Sequence, residues 1–407
     1  MNRSCSRMIQ QSQFNRFLEK PKISDLDGNL SKRVFELLGV NQDEDDNLRI
    51  FDKVEEDSLI LVHYLEPNEQ NKHIRGIVID IENEEIVAKS FPYTEELLPE
   101  EAHELKPENL CNGVVTKAYE GTIIRVFQGK ITKNWYLSTH RKINGRRSHW
   151  AGPTFGEIFD SVWGDENFSD YFEPGNCYIF LLSHIDNRLV CEVPETQLYY
   201  LQTIEKGSIY SNPLKKDHPN VKYIEPEEIK PENLTKLTSE LDWRKYSGLL
   251  ITFYTVRDDK RTIDRCVKLV SPEYQNRRKV RGNEPNFRLR YLQLRQNDEE
   301  DLDVSSIREL FPEKEETFKQ VEEQLKELPT FLSDYYTERY VNRNFTILPK
   351  ETHILLENTK NNFDPRVSIV ENIRNNLENS YGRYINAMIR FMLQEKRMAE
   401  NNCDTKN

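Results

Sequence analysis

The stretch Val114–Phe127, VVTKAYEGTIIRVF, joins two strand-like runs through a Glu120-Gly121 bend. Val114, Val115, Ile123, Ile124, Val126 and Phe127 are β-branched or aromatic and suit extended chain, while Glu-Gly suits a turn. Lys117 therefore falls where a strand gives way to a turn, a position that can hold an amine against a ligand. An amine that is to act as a nucleophile must be neutral, so its pKa has to be lowered by burial or by neighbouring cations. The plainer reading is a solvated lysine at a strand end, because short patterns recur by chance.

Further strand signals flank this one. Ile74–Pro92, IRGIVIDIENEEIVAKSFP, reads as a hairpin of GIVIDI and EIVAKSF around Asn-Glu-Glu, and SLILVHY upstream reads as a strand. After the lysine, WYLSTH reads as a strand leading into Arg141, Lys142, Arg146 and Arg147, with Trp135 and Trp150 nearby. Basic and aromatic side chains together fit a nucleic-acid path through phosphate contact and base stacking. FGEIFDSVW has the spacing of a short helix. CYIFLLSHIDNRLV, Cys177–Val190, reads as an aromatic strand, a loop and an Asn-Arg-Leu-Val return strand. YSGLLITF reads as a strand, and CVKLVSPEY as a strand with a Ser-x-x-Tyr tail.

The bulk numbers bound the function. A chain of 407 residues holds one large domain and a smaller one, and 37% hydrophobic with 31% charged residues and a mean hydropathy of −0.77 suit a soluble intracellular protein. No apolar run reaches the roughly 18 residues of a membrane span, and MNRSCSRMIQQSQ lacks the apolar core of a secretory signal. The six cysteines form no Cys-x-x-Cys pair, which argues against zinc and for reduced thiols in a cytoplasmic, reducing compartment. Net charge −12 argues against a nucleic-acid partner taken whole. Yet Lys117–Arg147 carries eight Lys/Arg against one acid, and Arg257–Arg295 twelve against five, so local patches can bind a polyanion. Val34, Leu37 and Leu38, like Phe14, Phe17 and Leu18, recur at helical spacing near the start. Ser305–Leu328 and segments around Tyr335–Val341, His353–Leu356 and Ser380–Leu393 predict helices, with a disordered tail after Met398.

Lys117 near Glu120-Gly121 resembles the Lys-x-(Asp/Glu)-Gly motif of covalent nucleotidyltransferases, the ATP-dependent ligases and capping guanylyltransferases. The surroundings most resemble the phage-type RNA ligases and their relatives in large DNA viruses. The spacing here is Lys-Ala-Tyr-Glu-Gly, so the strict motif position, counted back from Gly121, is Ala118. The resemblance implies an α+β fold. A nucleotidyltransferase domain (the ATP-grasp-like adenylation domain of ligases) of antiparallel sheets spans residues 1–298 with a helical lead-in, and a helical domain spans 299–407. It implies an ATP-dependent RNA ligase of RNA repair: Lys117 takes AMP from ATP with Mg2+ or Mn2+, and RNA 5′-phosphate and 3′-hydroxyl ends are sealed. Arg75 and Lys268 contact phosphates, Thr116, Glu120 and Gly121 shape the nucleotide site, and Phe180 lies near base or ribose. Lys89 is a further candidate for phosphate. Arg141, Lys142, Arg281, Arg288 and Arg290 are expected to touch RNA, the last three because RRKVRGNEPNFRLRYLQLR interleaves arginines with Phe287 and Tyr291.

The match has gaps. Tyr93-Thr94-Glu95-Glu96 stands where the family often has Lys-Phe-Phe-Asn, and Leu181, Ser247 and Val270 replace a glutamate, a glutamate and a lysine. Glu120, Asp186 or Glu192 are the carboxylates that could compensate. Those gaps keep open a second reading, an RNA-binding protein on the same fold without catalysis. A third is a capping guanylyltransferase using GTP, which lacks here the oligonucleotide-binding barrel that family carries at its C-terminus.

Overall fold

Strand pairing, rather than strand content, positions the site. In the computed structural model the described residues are 18–66, 68, 71–105, 113–150, 152–205, 208–210, 214–257, 260–297 and 302–404; Phe14 and Phe17 lie outside them. The chain forms two compact units, one ending at Arg278 and one beginning at Lys279.

In the first unit, α1 (Gly28–Leu38) is capped by Asp27, whose carboxylate accepts from the Asn29 amide. Its apolar stripe of Val34, Phe35 and Leu38 packs on an antiparallel sheet of β1 (Leu48–Val54), β2 (Leu59–Tyr64), β3 (Arg75–Asp80) and β4 (Glu85–Ala88). The β3–β4 hairpin is the one the Ile74–Pro92 pattern predicts. β5 (Thr94–Leu97), β6 (Gly113–Ala118), β13 (Gly248–Arg257) and β14 (Lys260–Val270) form another sheet in the order β5-β14-β13-β6, with only β5 parallel to its neighbour. The remaining sheet holds β7 (Thr122–Gln128), β8 (Trp135–Ser138), β9 (Cys177–Ser183), β10 (Gln197–Glu205) and β11 (Ser208–Tyr210) in the order β11-β10-β9-β7-β8; β12 (Val221–Tyr223) runs parallel to β10. Thus β6 and β7 belong to different sheets, and the Glu120-Gly121 bend carries the chain from one to the other. Gly121 is required there by space: a Cβ would meet the Leu182 carbonyl oxygen at 2.6 Å and the Leu181 side chain at 2.8 Å.

α2 (Phe155–Trp163) starts at a Thr154/Glu157 capping box and buries Phe159 and Trp163 against Phe172, Tyr178 and Phe180. The expected return strand Asn187–Val190 is not a strand. That segment is a short turn and irregular chain, and β9 pairs instead with β10, beginning at Gln197. α3 (Pro272–Arg281) follows β14.

The second unit is helical: α4 (Phe287–Arg295), α5 (Val304–Leu310), α6 (Glu315–Tyr336), α7 (Lys350–Asn361), α8 (Ile369–Glu378) and α9 (Gly382–Asp404). The single helix expected over Ser305–Leu328 is interrupted at Pro312, whose ring forbids a helical residue before it; Phe311 has ψ 64°. The tail expected to be disordered after Met398 is instead helix as far as Asp404. The units divide before the boundary drawn after residue 298, because Tyr291 and Leu292 of α4 are core residues of the helical unit. Tyr291 stacks on Phe318 at 4.8 Å, and the backbone of Leu292 lies against Gly382.

Candidate functional site

A cavity of about 480 Å³ lies between the two sheets joined by the Glu120-Gly121 bend. Strand register decides which side chains reach it. Thr116 stands opposite Leu250, Leu250 opposite Lys268, and Lys268 beside Glu96; two residues on, Ala118 stands opposite Gly248. Laterally paired residues share a face, and Thr116, Ala118, Leu250, Lys268 and Glu96 all line the cavity. The alternate row is Lys117, Leu249, Leu269 and Leu97. Its leucines belong to the apolar core on the other side of the sheet.

Lys117 therefore does not stand where the sequence reading required. Its residue borders the cavity, but β6 pairs with β13 without a bulge from Gly113 to Ala118, so nothing turns its side chain to the cavity face. The ammonium is 2.9 Å from Glu227 and 5.2 Å from the Tyr246 ring, and neither residue lines the cavity. The hydrogen bond to Glu227 raises the Lys117 pKa, whereas attack on phosphorus needs it lowered. The cavity-facing residue at the strict motif position is Ala118, which carries no nucleophile.

Three cations do line the cavity: Arg75, Lys268 and Arg278. Arg75 lies 5.1 Å over the Tyr93 ring, and burial lowers its pKa. Lys268 has a side chain only 15% exposed, 3.7 Å from Glu96 and 5.1 Å from the Tyr274 ring. Burial lowers its pKa, with Glu96 acting in the opposite sense. Arg278 donates to both Glu96 oxygens at 2.9 and 2.7 Å. Apolar and aromatic walls come from Ile123, Leu181, Leu189 and Tyr200.

Glu120 is occupied by the protein itself. Its carboxylate accepts from the amides of Leu189 (3.0 Å), Val190 (3.0 Å) and Cys191 (2.9 Å) and from the Tyr274 hydroxyl (2.5 Å). Phe180 is also misplaced by the sequence reading. On β9 the side chains of Tyr178, Phe180 and Leu182 enter the aromatic core while Leu181 faces the cavity. Phe180 is fully buried, 6.0 Å edge-on to Phe159. Lys89 borders a separate cavity beside Leu38 and His73.

The expected RNA-contacting residues divide. Arg141 is exposed, and Lys142 is exposed and 3.0 Å from Asp52. Arg281 and Arg290 are buried, which corrects their assignment to RNA. Arg281 donates to the Glu284 carbonyl and lies 4.3 Å over Phe287; Arg290 donates to the carbonyls of Lys279 (2.7 Å) and Val280 (2.8 Å), satisfying the end of α3. Arg288 donates to Gln324 at 2.6 Å and is partly buried.

The donor set does not fit a divalent cation. The cavity's two carboxylates, Glu96 and Glu120, are engaged by a guanidinium and by four N–H and O–H donors. Asp186 and Glu192 do not line it. Among the described residues no group of three His, Cys, Asp or Glu could hold a metal ion.

Sequence reasoning missed Arg278, Glu96 and Tyr274. Glu96 was visible only as part of the departure Tyr93–Glu96, and Tyr274 as the end of CVKLVSPEY; nothing in sequence paired Arg278 with Glu96, 182 residues away. Arg125 was missed as well. It is buried and donates to the Gly76 carbonyl, to Ser138 Oγ at 2.8 Å and to the Thr139 carbonyl at 2.5 Å, so it holds the end of β8 against the start of β3.

No protein-family model matches the chain. It is 28% identical over 305 residues to the immediate-early protein ICP-46 homolog of Invertebrate iridescent virus 3, a match covering 69% of this chain and 62% of that protein's length. Similar solved structures are ATP-dependent ligases. One is an Aquifex aeolicus protein assigned as an ATP-dependent DNA ligase (TM-score 0.38, 14% identity, 83% of this chain and 89% of that one). Another is form 2 of an archaeal ATP-dependent RNA ligase (TM-score 0.36, 13% identity, 74% and 79%). No helix among the described residues is long and apolar enough to cross a membrane.

Proposed function

We propose that the first unit is a ligase-type nucleotidyltransferase fold that binds ATP through its phosphates without forming a lysyl-AMP on Lys117, and that RNA is the accompanying partner. The observation that carries this is the register of the β6 sheet: Ala118, with no amine, stands on the cavity face beside Thr116 and Lys268, and Lys117 stands on the other. Arg75, Lys268 and Arg278 supply cations suited to a phosphate chain, and the apolar residues Ile123, Leu181 and Leu189 that line the same cavity suit a base. The exposed Arg141 and Arg147, with Lys142, give RNA phosphates a sequence-independent hold.

A second reading, an ATP-dependent RNA ligase, is favoured by one observation: Lys117 borders the same cavity and is one residue from the motif position. Incubation of the purified protein with α-labelled ATP, and separately GTP, tests both readings on a denaturing gel. Nucleotide binding measured by calorimetry, with no covalent label, is the expected result. Acid-labile AMP label lost in Lys117→Ala would restore the ligase reading. Label from GTP alone would move the protein to capping chemistry.

A further inference from the structure

The cavity's carboxylates and cations are arranged in a way that bears on the form of its ligand. Glu96 accepts both of its short contacts from Arg278, at 2.9 and 2.7 Å, and lies 3.7 Å from Lys268. Glu120 is surrounded by three backbone amides and the Tyr274 hydroxyl. Both carboxylates are already engaged: each Glu96 oxygen accepts from Arg278, although the side chain is partly open to solvent, and each Glu120 oxygen accepts from protein donors. A divalent cation entering here would have to displace the Arg278 guanidinium from Glu96 or pull Glu120 out of its ring of donors. It would do so against Arg75, Lys268 and Arg278, three positive charges facing the same cavity as two carboxylates. A polyphosphate meets the opposite situation. Glu96 is itself an oxyanion whose two oxygens share one guanidinium nitrogen, Nη1 of Arg278, beside a lysine, and a phosphate can take over both cationic partners. Arg75 extends the cationic row. It lines the cavity with Cys266, which lies two residues before Lys268 on β14, about 7 Å along the strand.

We infer that the cavity takes a nucleoside triphosphate in its metal-free form, with Arg278, Lys268 and Arg75 neutralising the phosphates and Glu96 acting as the built-in anion that the phosphates displace. This rests on the proposed nucleotide-binding function and specifies its ligand. No bond is made or broken: the guanidinium and ammonium donors exchange a carboxylate partner for phosphate oxygens, and Glu96, already 42% exposed, turns to solvent.

Calorimetric titration of the full chain with ATP tests it, once in EDTA and once in excess magnesium. Affinity in EDTA equal to or greater than that in magnesium is the expected result, since magnesium withdraws charge from the ligand. Glu96→Gln should tighten ATP binding several-fold in EDTA by releasing Arg278 and Lys268. Arg278→Met should weaken it by about tenfold, the loss expected for one hydrogen-bonded charge contact. Binding that appears only with magnesium would overturn the inference while leaving the nucleotide-binding function intact. A Glu96→Gln variant that folds normally and binds ATP more weakly would also overturn it, because Glu96 would then be a ligand group rather than a competitor. Absence of ATP binding under both conditions would overturn the inference together with the function it rests on.

Discussion

Glu120 illustrates how a residue that looks chemical in sequence can be structural in the fold, and replacing it gives a quantitative check. Its carboxylate ties the turn after β6 to the Leu189–Cys191 loop and, through the Tyr274 hydroxyl, to α3. Glu120→Ala leaves three backbone amides and a hydroxyl without their acceptor. An unsatisfied buried donor costs roughly 1–3 kcal/mol. Water entering the vacated space recovers part of that, so a loss of about 4 kcal/mol is expected for the first unit. Glu120→Gln keeps one carbonyl oxygen where Oε2 stands, with lone pairs for two of the three amides it faces, and the Tyr274 hydroxyl can turn to accept from the new NH2. What is lost is the charge, which roughly doubles the strength of such bonds, for a cost of about 2 kcal/mol. All four tryptophans lie in the first unit, so urea unfolding followed by tryptophan fluorescence reports on that unit. A Glu120→Ala protein within 1 kcal/mol of the parent by this measurement, or one equally stable but unable to bind ATP, would refute the structural role.

Burial, with Arg141 and Arg75 adding to it, lowers the His63 pKa to about 4. The unfolded chain therefore takes up this proton at higher pH than the folded one, and stability should fall as pH drops from the ordinary histidine value towards 4. The expected loss at pH 5 is about 2 kcal/mol, checked by urea unfolding at pH 7 and pH 5. His140 shifts in the same direction through burial and Arg75, and adds to the loss. Phe180→Leu should destabilise the first unit by about 1 kcal/mol through lost aromatic packing, yet leave ATP affinity unchanged in calorimetry; a selective loss of affinity would return Phe180 to the ligand site. Arg290→Ala should weaken amide-exchange protection in α3 and α4 by about 2 kcal/mol, because the Lys279 and Val280 carbonyls lose a charged donor. The salt dependence of RNA binding should not change with it.

The sequence by itself determined the local structure around the site. The two runs either side of the Glu120-Gly121 bend, the Ile74–Pro92 hairpin, WYLS and CVKLV are strands where their β-branched and aromatic residues place them, and the C-terminal part is helical. These are short-range properties, fixed by side-chain shape against the backbone. The sequence also singled out Arg75, Thr116, Gly121 and Lys268, which the fold brings to one cavity. Three things were decided only by tertiary structure. The face of Lys117 depends on β6 register. That strand gives no alternation to read, because one of its faces borders a core and the other a cavity lined in part by Val114, Ala118 and Leu250. The occupation of Glu120 depends on amides some 70 residues away, and the pairing of Glu96 with Arg278 on strand β5 meeting helix α3. The burial of Arg281 and Arg290 depends on what packs over them. A sequence shows that a side chain is charged, whereas its partner and solvent access arise only when distant segments meet.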